Sequence, residues 1–266
     1  MINLLLVFLL TAGKGPLIAC TIPPITSLVE AVGGNEFEYV TVLPAGANPH
    51  TYEPSPKQLL EAGSSRLMFA AGLGIDSWAV KFKTGGRRIA ELGKSLKEEG
   101  ARIRNPHFWL NPQLGRRSLF VIALELSRIK PEKWDYFYER ACEYSKKIDS
   151  MVIHEKSRIE RLKNRRVIVY HDAWEDFAEA FGLEVIDIIA KNPALEPTFQ
   201  EIKGVIEKGK ENEVKAVLRE KPFPGKLPET VASEIGAKAV EVDPLFSGDY
   251  IEGLRANLLK IEEALK

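Results

Sequence analysis

The sequence predicts an α/β fold built on mainly parallel sheets in two lobes, joined by one long backbone helix. Three observations carry this. Short apolar runs alternate with helical patterns up to about residue 90, the rhythm of a parallel sheet flanked by helices. From residue 131 to about 164 there is no glycine and no internal proline, and apolar residues recur at Trp134, Phe137, Ala141, Tyr144, Ile148, Met151, Ile159 and Leu162. Their spacing marks one amphipathic helix, about 33 residues and roughly 50 Å long at 1.5 Å per residue. That exceeds the needs of one small lobe and suits a spine. After it, the strand–helix rhythm resumes.

The elements follow in order. Residues 17–21 form a buried strand, and 24–32 a helix stopped by Gly33 and Gly34. Residues 38–43 alternate as a strand. Ser55, Pro56 and Gln58 are a cap, a first-turn proline and a capping-box partner, so a helix opens at 56 and runs to 62. Strands follow at 66–70 and 87–90. Beyond the spine come a strand at 167–170, a helix at 174–181 stopped by Gly182, and a strand at 183–189. A helix at 198–210, a strand at 214–218, a helix at 230–236, a strand at 239–242 and a last helix at 250–265 complete the chain. The expected division is a leader at 1–15, an N-terminal lobe at 16–130, the linking helix at 131–164 and a C-terminal lobe at 165–266.

Composition narrows the function. The 266 residues suit two lobes, and a formal net charge of zero points to neither nucleic acid nor an anionic membrane surface. Charged residues at 28%, with two cysteines and three methionines, fit a heat-tolerant source. The apolar run at 4–10 is too short to anchor stably across a bilayer. It has the form of a secretory core, with Thr11, Ala12 and Gly13 as a cleavage zone, so a periplasmic or extracytoplasmic location is expected. Leu17, Ile18, Ala19 and Cys20 have the form of a lipoprotein box, but cutting there would remove half of the first strand. An ordinary buried cysteine is preferred to a lipid anchor at Cys20. Cys20 and Cys142 form neither a metal knuckle nor a redox pair by spacing.

The four histidines carry the chemistry. His50 lies in ANPHTYEPSP, among Pro49, Pro54 and Pro56. Prolines fix their own φ and bias the preceding residue toward extended geometry, so this strand-to-helix loop is pre-set and His50 is what it presents. His107 lies in NPHFWLNP, again behind a proline and beside apolar bulk. His171 precedes Asp172, a helix cap with Glu175 three residues on. A helix N-terminus disfavours imidazolium, and a neutral ring keeps the lone pair that a metal needs. Each of the three taken alone is equally readable as a loop or strand-end histidine with an ordinary hydrogen bond. His154, among charges on the spine, is a solvated helix face. Asp243 ends a strand before Pro244. Four potential ligands near the carboxyl ends of strands lie where open α/β sheets bind ligands. With a spine joining two lobes, His50 and His107 face His171 and Asp243 across a cleft.

In order along the chain, GANPHTYEPSP, NPHFWLNP, YHDAWEDFAEAFGL, LEPT and GAKAVEVDPLFSGDYIEGLRANL resemble the metal receptors of bacterial ABC importers for zinc and manganese, the cluster 9 or A-I solute-binding proteins. The resemblance covers nearly the whole chain after the leader. It implies two lobes, each with a mainly parallel four-stranded sheet, and a metal between them. His50, His107 and His171 fall on ligand positions of the family, and Asp243 on the position that supplies a carboxylate in many members. Asn105 and Asn111 stand where the family more often has Asp, and the histidine-rich loop of some zinc receptors is absent. Three imidazoles and a carboxylate suit Zn²⁺ better than Mn²⁺. The resemblance further implies an ABC permease as partner, no organic substrate and a monomer, with an Mn²⁺ or Fe²⁺ receptor as the alternative. A zinc hydrolase is disfavoured by the lack of HExxH and of a general base. A siderophore or corrinoid receptor would not need three such histidines, and nothing in the sequence bears on an adhesin.

Overall fold

The structure, a computed structural model, describes residues 15–83, 88–191, 196–220 and 226–266. The expected leader, except for Gly15, and its cleavage zone lie outside the described residues. In the first half the elements are β1 (Leu17–Cys20), α1 (Pro23–Gly33), β2 (Glu38–Thr41), α2 (Pro56–Glu61), β3 (Leu67–Ala70), β4 (Arg88–Glu91), α3 (Leu92–Glu98) and α4 (Pro112–Ser127). The long helix α5 (Trp134–Ile159) follows. The second half holds β5 (Arg166–Val169), α6 (Glu175–Phe181), β6 (Glu184–Ile188), α7 (Phe199–Glu211), β7 (Ala216–Glu220), α8 (Leu227–Ile235), β8 (Lys238–Val242) and α9 (Tyr250–Leu265).

Two four-stranded sheets result, in the orders β2-β1-β3-β4 and β6-β5-β7-β8, with every pairing parallel. β3 is buried at all four positions and β1 at three, as strands covered on both faces must be. The capping box at Ser55 and Gln58 forms as expected and starts α2. A second capping box, at Thr198 and Glu201, starts α7. Helix α6 ends at Gly182, in the left-handed region at φ 77°, which glycine enters at little cost.

The spine is shorter than the sequence suggests. Pro131–Lys133 is a 3₁₀ turn and the α-helix holds 26 residues, about 39 Å at 1.5 Å per residue. Its end is set locally. Asn164 accepts from the amide of Arg166 and donates to the carbonyl of Glu213, so its side chain stabilises a turn in place of helix. Leu162 keeps the apolar character that suggested helix because it packs on the core from that turn. One face of α5, with Phe137, Ala141, Ile148, Met151 and Ile159, is buried. It packs on α1 and α4 from the first half and on α6 and α9 from the second. Ile18 and Phe69 of one sheet and Val167 and Leu218 of the other belong to one continuous apolar core.

Direct bonds also tie the halves. Trp109 Nε1 donates to the carbonyl of Pro244 at 2.8 Å, and Tyr250 Oη donates to the carbonyl of Trp109 at 2.6 Å. Gly115 permits this approach: a Cβ there would stand 2.1 Å from Tyr250 Oη.

Candidate metal centre

Two histidine loops are built alike. In each, an Asn-Pro-His triplet folds so that the asparagine side-chain oxygen accepts from the histidine amide two residues on. Asn48 does this for His50 and Asn105 for His107, both at 2.9 Å. This is the Asx turn that Asn forms readily, with proline fixing the middle residue. The first loop is further held by Trp78, whose Nε1 donates to the carbonyl of Pro49. In the second, Asn105 Nδ2 also donates to the carbonyl of Asp172, a bond that an aspartate there could not make. Asn111 accepts from Gln113 and Leu114 and caps α4. The departure at Asn105 therefore serves local structure, whereas both Asn111 bonds are ones an aspartate would accept as well.

His171 comes from the second sheet, two residues beyond β5 and just before a 3₁₀ turn that leads into α6. The order of each sheet reverses at its centre, between β1 and β3 and between β5 and β7. Open α/β sheets bind ligands at the strand ends at such points, and His171 stands at the second of them.

The three rings converge. His50 Nε2 and His107 Nε2 are 3.2 Å apart, and His107 Nε2 and His171 Nε2 are 3.5 Å apart. One ligand atom from each of the three lies within 4.8 Å of the others. For a tetrahedral zinc with bonds of about 2.0–2.1 Å, ligand nitrogens sit roughly 3.3 Å apart, so the spacing suits such an ion. His107 and His171 are buried and His50 is the most exposed of the three. Burial holds the His107 ring well below its ordinary pKa, and the neighbouring His171 and His50 push it further. His50 moves the same way, again chiefly through burial. Both rings are therefore neutral, with lone pairs to offer.

Asp243 is not part of that group. It follows β8, and its Oδ1 accepts from the amide of Leu245. Asn257 of α9 holds its backbone on both sides. His154 pairs with Glu155 on α5, away from the other histidines. One residue at the site was not singled out from the sequence: Glu220, at the end of β7. Its Oε1 lies 2.5 Å from His171 Nδ1, with both side chains buried. Only strand register shows this, because β5 and β7 pair with a constant offset that sets His171 opposite Glu220.

Two parallel-sheet lobes on one helical spine, with imidazoles from both lobes meeting between them, define a metal-binding receptor of the solute-binding type. The chain belongs to the ZnuA family: residues 18–264 match the family profile described as zinc-uptake complex component A, periplasmic. The family consists of substrate-binding proteins of ABC importers, not enzymes. A crystal structure of ZnuA superposes with a TM-score of 0.85 at 29% identity, covering 95% of this chain and all of the other. The high-affinity zinc uptake protein ZnuA of Bacillus subtilis is 23% identical over 277 residues, 93% of this chain and 87% of the relative. The manganese ABC transporter lipoprotein PsaA of Streptococcus pneumoniae is 21% identical over 280 residues, 96% of this chain and 91% of the relative. No helix among the described residues is long and apolar enough to cross a membrane.

Proposed function

We propose that this protein is an extracytoplasmic zinc receptor. It takes Zn²⁺ on Nε2 of His50, His107 and His171 and passes it to the permease of an ABC importer. The observation that carries the reading is the meeting of the three Nε2 atoms, two contributed by one lobe and one by the other. Relatives named for zinc and for manganese both match, so the preference for zinc rests on the donors. Nitrogen-rich sites suit zinc, and oxygen-rich sites suit manganese. Asp243 is the carboxylate we assign to the fourth position. Its Oδ1 is engaged by Leu245, so Oδ2 is the oxygen for the ion, and the side chain must close on the site to deliver it.

Capture begins at His50, the most accessible ring, and finishes against the buried His107 and His171. Release to the permease reverses that order, through the loop that carries His50. Metal-stripped protein titrated competitively with Zn²⁺ and Mn²⁺ tests this. The expected result is one tight zinc per chain, weaker manganese, and a large loss of zinc affinity in His171→Ala. Asp243→Ala should lose less. Unchanged zinc affinity in His171→Ala would refute the ligand assignment, and tighter manganese would refute the metal preference.

A further inference from the structure

We infer that Glu220 is a positioning residue that commits His171 to the metal by fixing its tautomer, an inference that rests on the receptor reading above. The sheet creates the pairing. Val167, Ile168 and Val169 of β5 pair with Ala216, Val217 and Leu218 of β7. Continued two residues further, the same register brings His171 and Glu220 together, where Oε1 meets Nδ1 at 2.5 Å. With the carboxylate oxygen as the acceptor in this contact, the ring proton sits on Nδ1. Nε2, which faces His107 at 3.5 Å, then carries the lone pair. The outer carboxylate thus chooses which nitrogen binds the ion and holds the plane of the ring.

A contrast within the site shows that this contact is not a general feature of its histidines. His107 Nδ1 is buried with no hydrogen-bond partner, so nothing of this kind fixes the second ring. Glu220 Oε2 is likewise buried and unpartnered. Burying a carboxylate oxygen without a partner is costly, and so is difficult to explain as a fold-stabilising device. A divalent cation on the far side of the His171 ring would offset that cost.

The test uses Glu220→Leu, similar in bulk but unable to accept, and Glu220→Gln, which keeps an acceptor but can also donate and so permits either tautomer. Long-range ¹⁵N–¹H correlation spectra of the metal-free protein report the tautomer of His171. Wild type should show the proton on Nδ1, Glu220→Leu should lose that preference, and Glu220→Gln should show a mixture. Competitive titration should then show zinc affinity reduced ~10- to 100-fold in Glu220→Leu and less in Glu220→Gln, with the metal-free melting temperature no lower than in wild type. A proton on Nε2 of wild-type His171 overturns the inference, as does wild-type zinc affinity in Glu220→Leu. Should Glu220→Leu fail to fold, wild-type affinity with an undisturbed tautomer in Glu220→Gln overturns it equally. Absence of tight zinc binding in wild type would refute the receptor reading, while the tautomer measurement would still decide the role of Glu220.

Discussion

At the scale of single residues, the site depends on keeping imidazoles neutral. Burial lowers the pKa of His107 well below the ordinary value near 6.5, and that of His50 in the same direction. Between the lowered values and about 6.5 the unfolded chain binds more protons than the folded one, so stability rises with pH across that window. Metal-free protein should lose stability as the pH falls below about 6.5, and these two rings should contribute no slope above it. Denaturant midpoints over a pH series would check this. His107→Gln should flatten the acid limb, and an unchanged limb in that variant would contradict the assignment. In the zinc receptor proposed above, the same shift favours metal capture, because protons compete poorly for buried nitrogens. The three histidines were legible in the sequence because proline and cap residues frame each one. Glu220 was not, because its role depends on the register of β7 against β5, which no local pattern encodes.

At the scale of elements, chemistry at the ends proved easier to recognise than periodicity. Ser55 with Gln58, Gly182 and the Tyr250–Leu265 helix appear where their caps place them. Helix α4 has no counterpart in the sequence reading, although Asn111 and Pro112 are a sound start signal. Its central run, Leu119, Phe120, Val121, Ile122, Ala123 and Leu124, is apolar all round. Such a run shows no amphipathic face, because Phe120 and Leu124 are apolar yet exposed, while Leu119, Val121, Ile122 and Ala123 between and beside them are buried. The spine gives the reverse error: its periodicity runs on through Leu162 while the helix stops at Ile159. Ile148 lies midway along the buried face of α5 and is fully buried. Truncating it to alanine should cost about 2–5 kcal/mol of stability through lost contacts and a cavity. Chemical denaturation would measure the loss, and zinc affinity of the folded protein should stay as it was. A parallel collapse of zinc binding would show that α5 positions the site as well as carrying the lobes.

At the scale of the whole molecule, the two halves repeat one plan. Both sheets have the same strand order, and the partners in both central pairs are 49 residues apart in sequence, as in Ile18 with Leu67 and Val167 with Ala216. Two such lobes could in principle close over a ligand about a hinge, but this connection resists it. The apolar core is continuous through α5, and the bonds from Asn105 to Asp172, Trp109 to Pro244 and Tyr250 to Trp109 cross the interface beside the site. Arg104 adds an ion pair to the buried Asp176 of α6. A hinge motion would have to break these together and expose packed apolar surface. Among the described residues no such set of bonds ties the loop carrying His50 to the second lobe; Trp78 holds it within its own lobe, so any rearrangement on loading is expected there rather than between the lobes. Small-angle scattering should therefore give the same radius of gyration with and without zinc, while amide exchange slows at residues 44–53 on loading and hardly changes across α5. Compaction of the particle on zinc binding, with exchange changing along α5, would mean that the lobes close as bodies and that the spine bends, against the packing that holds it.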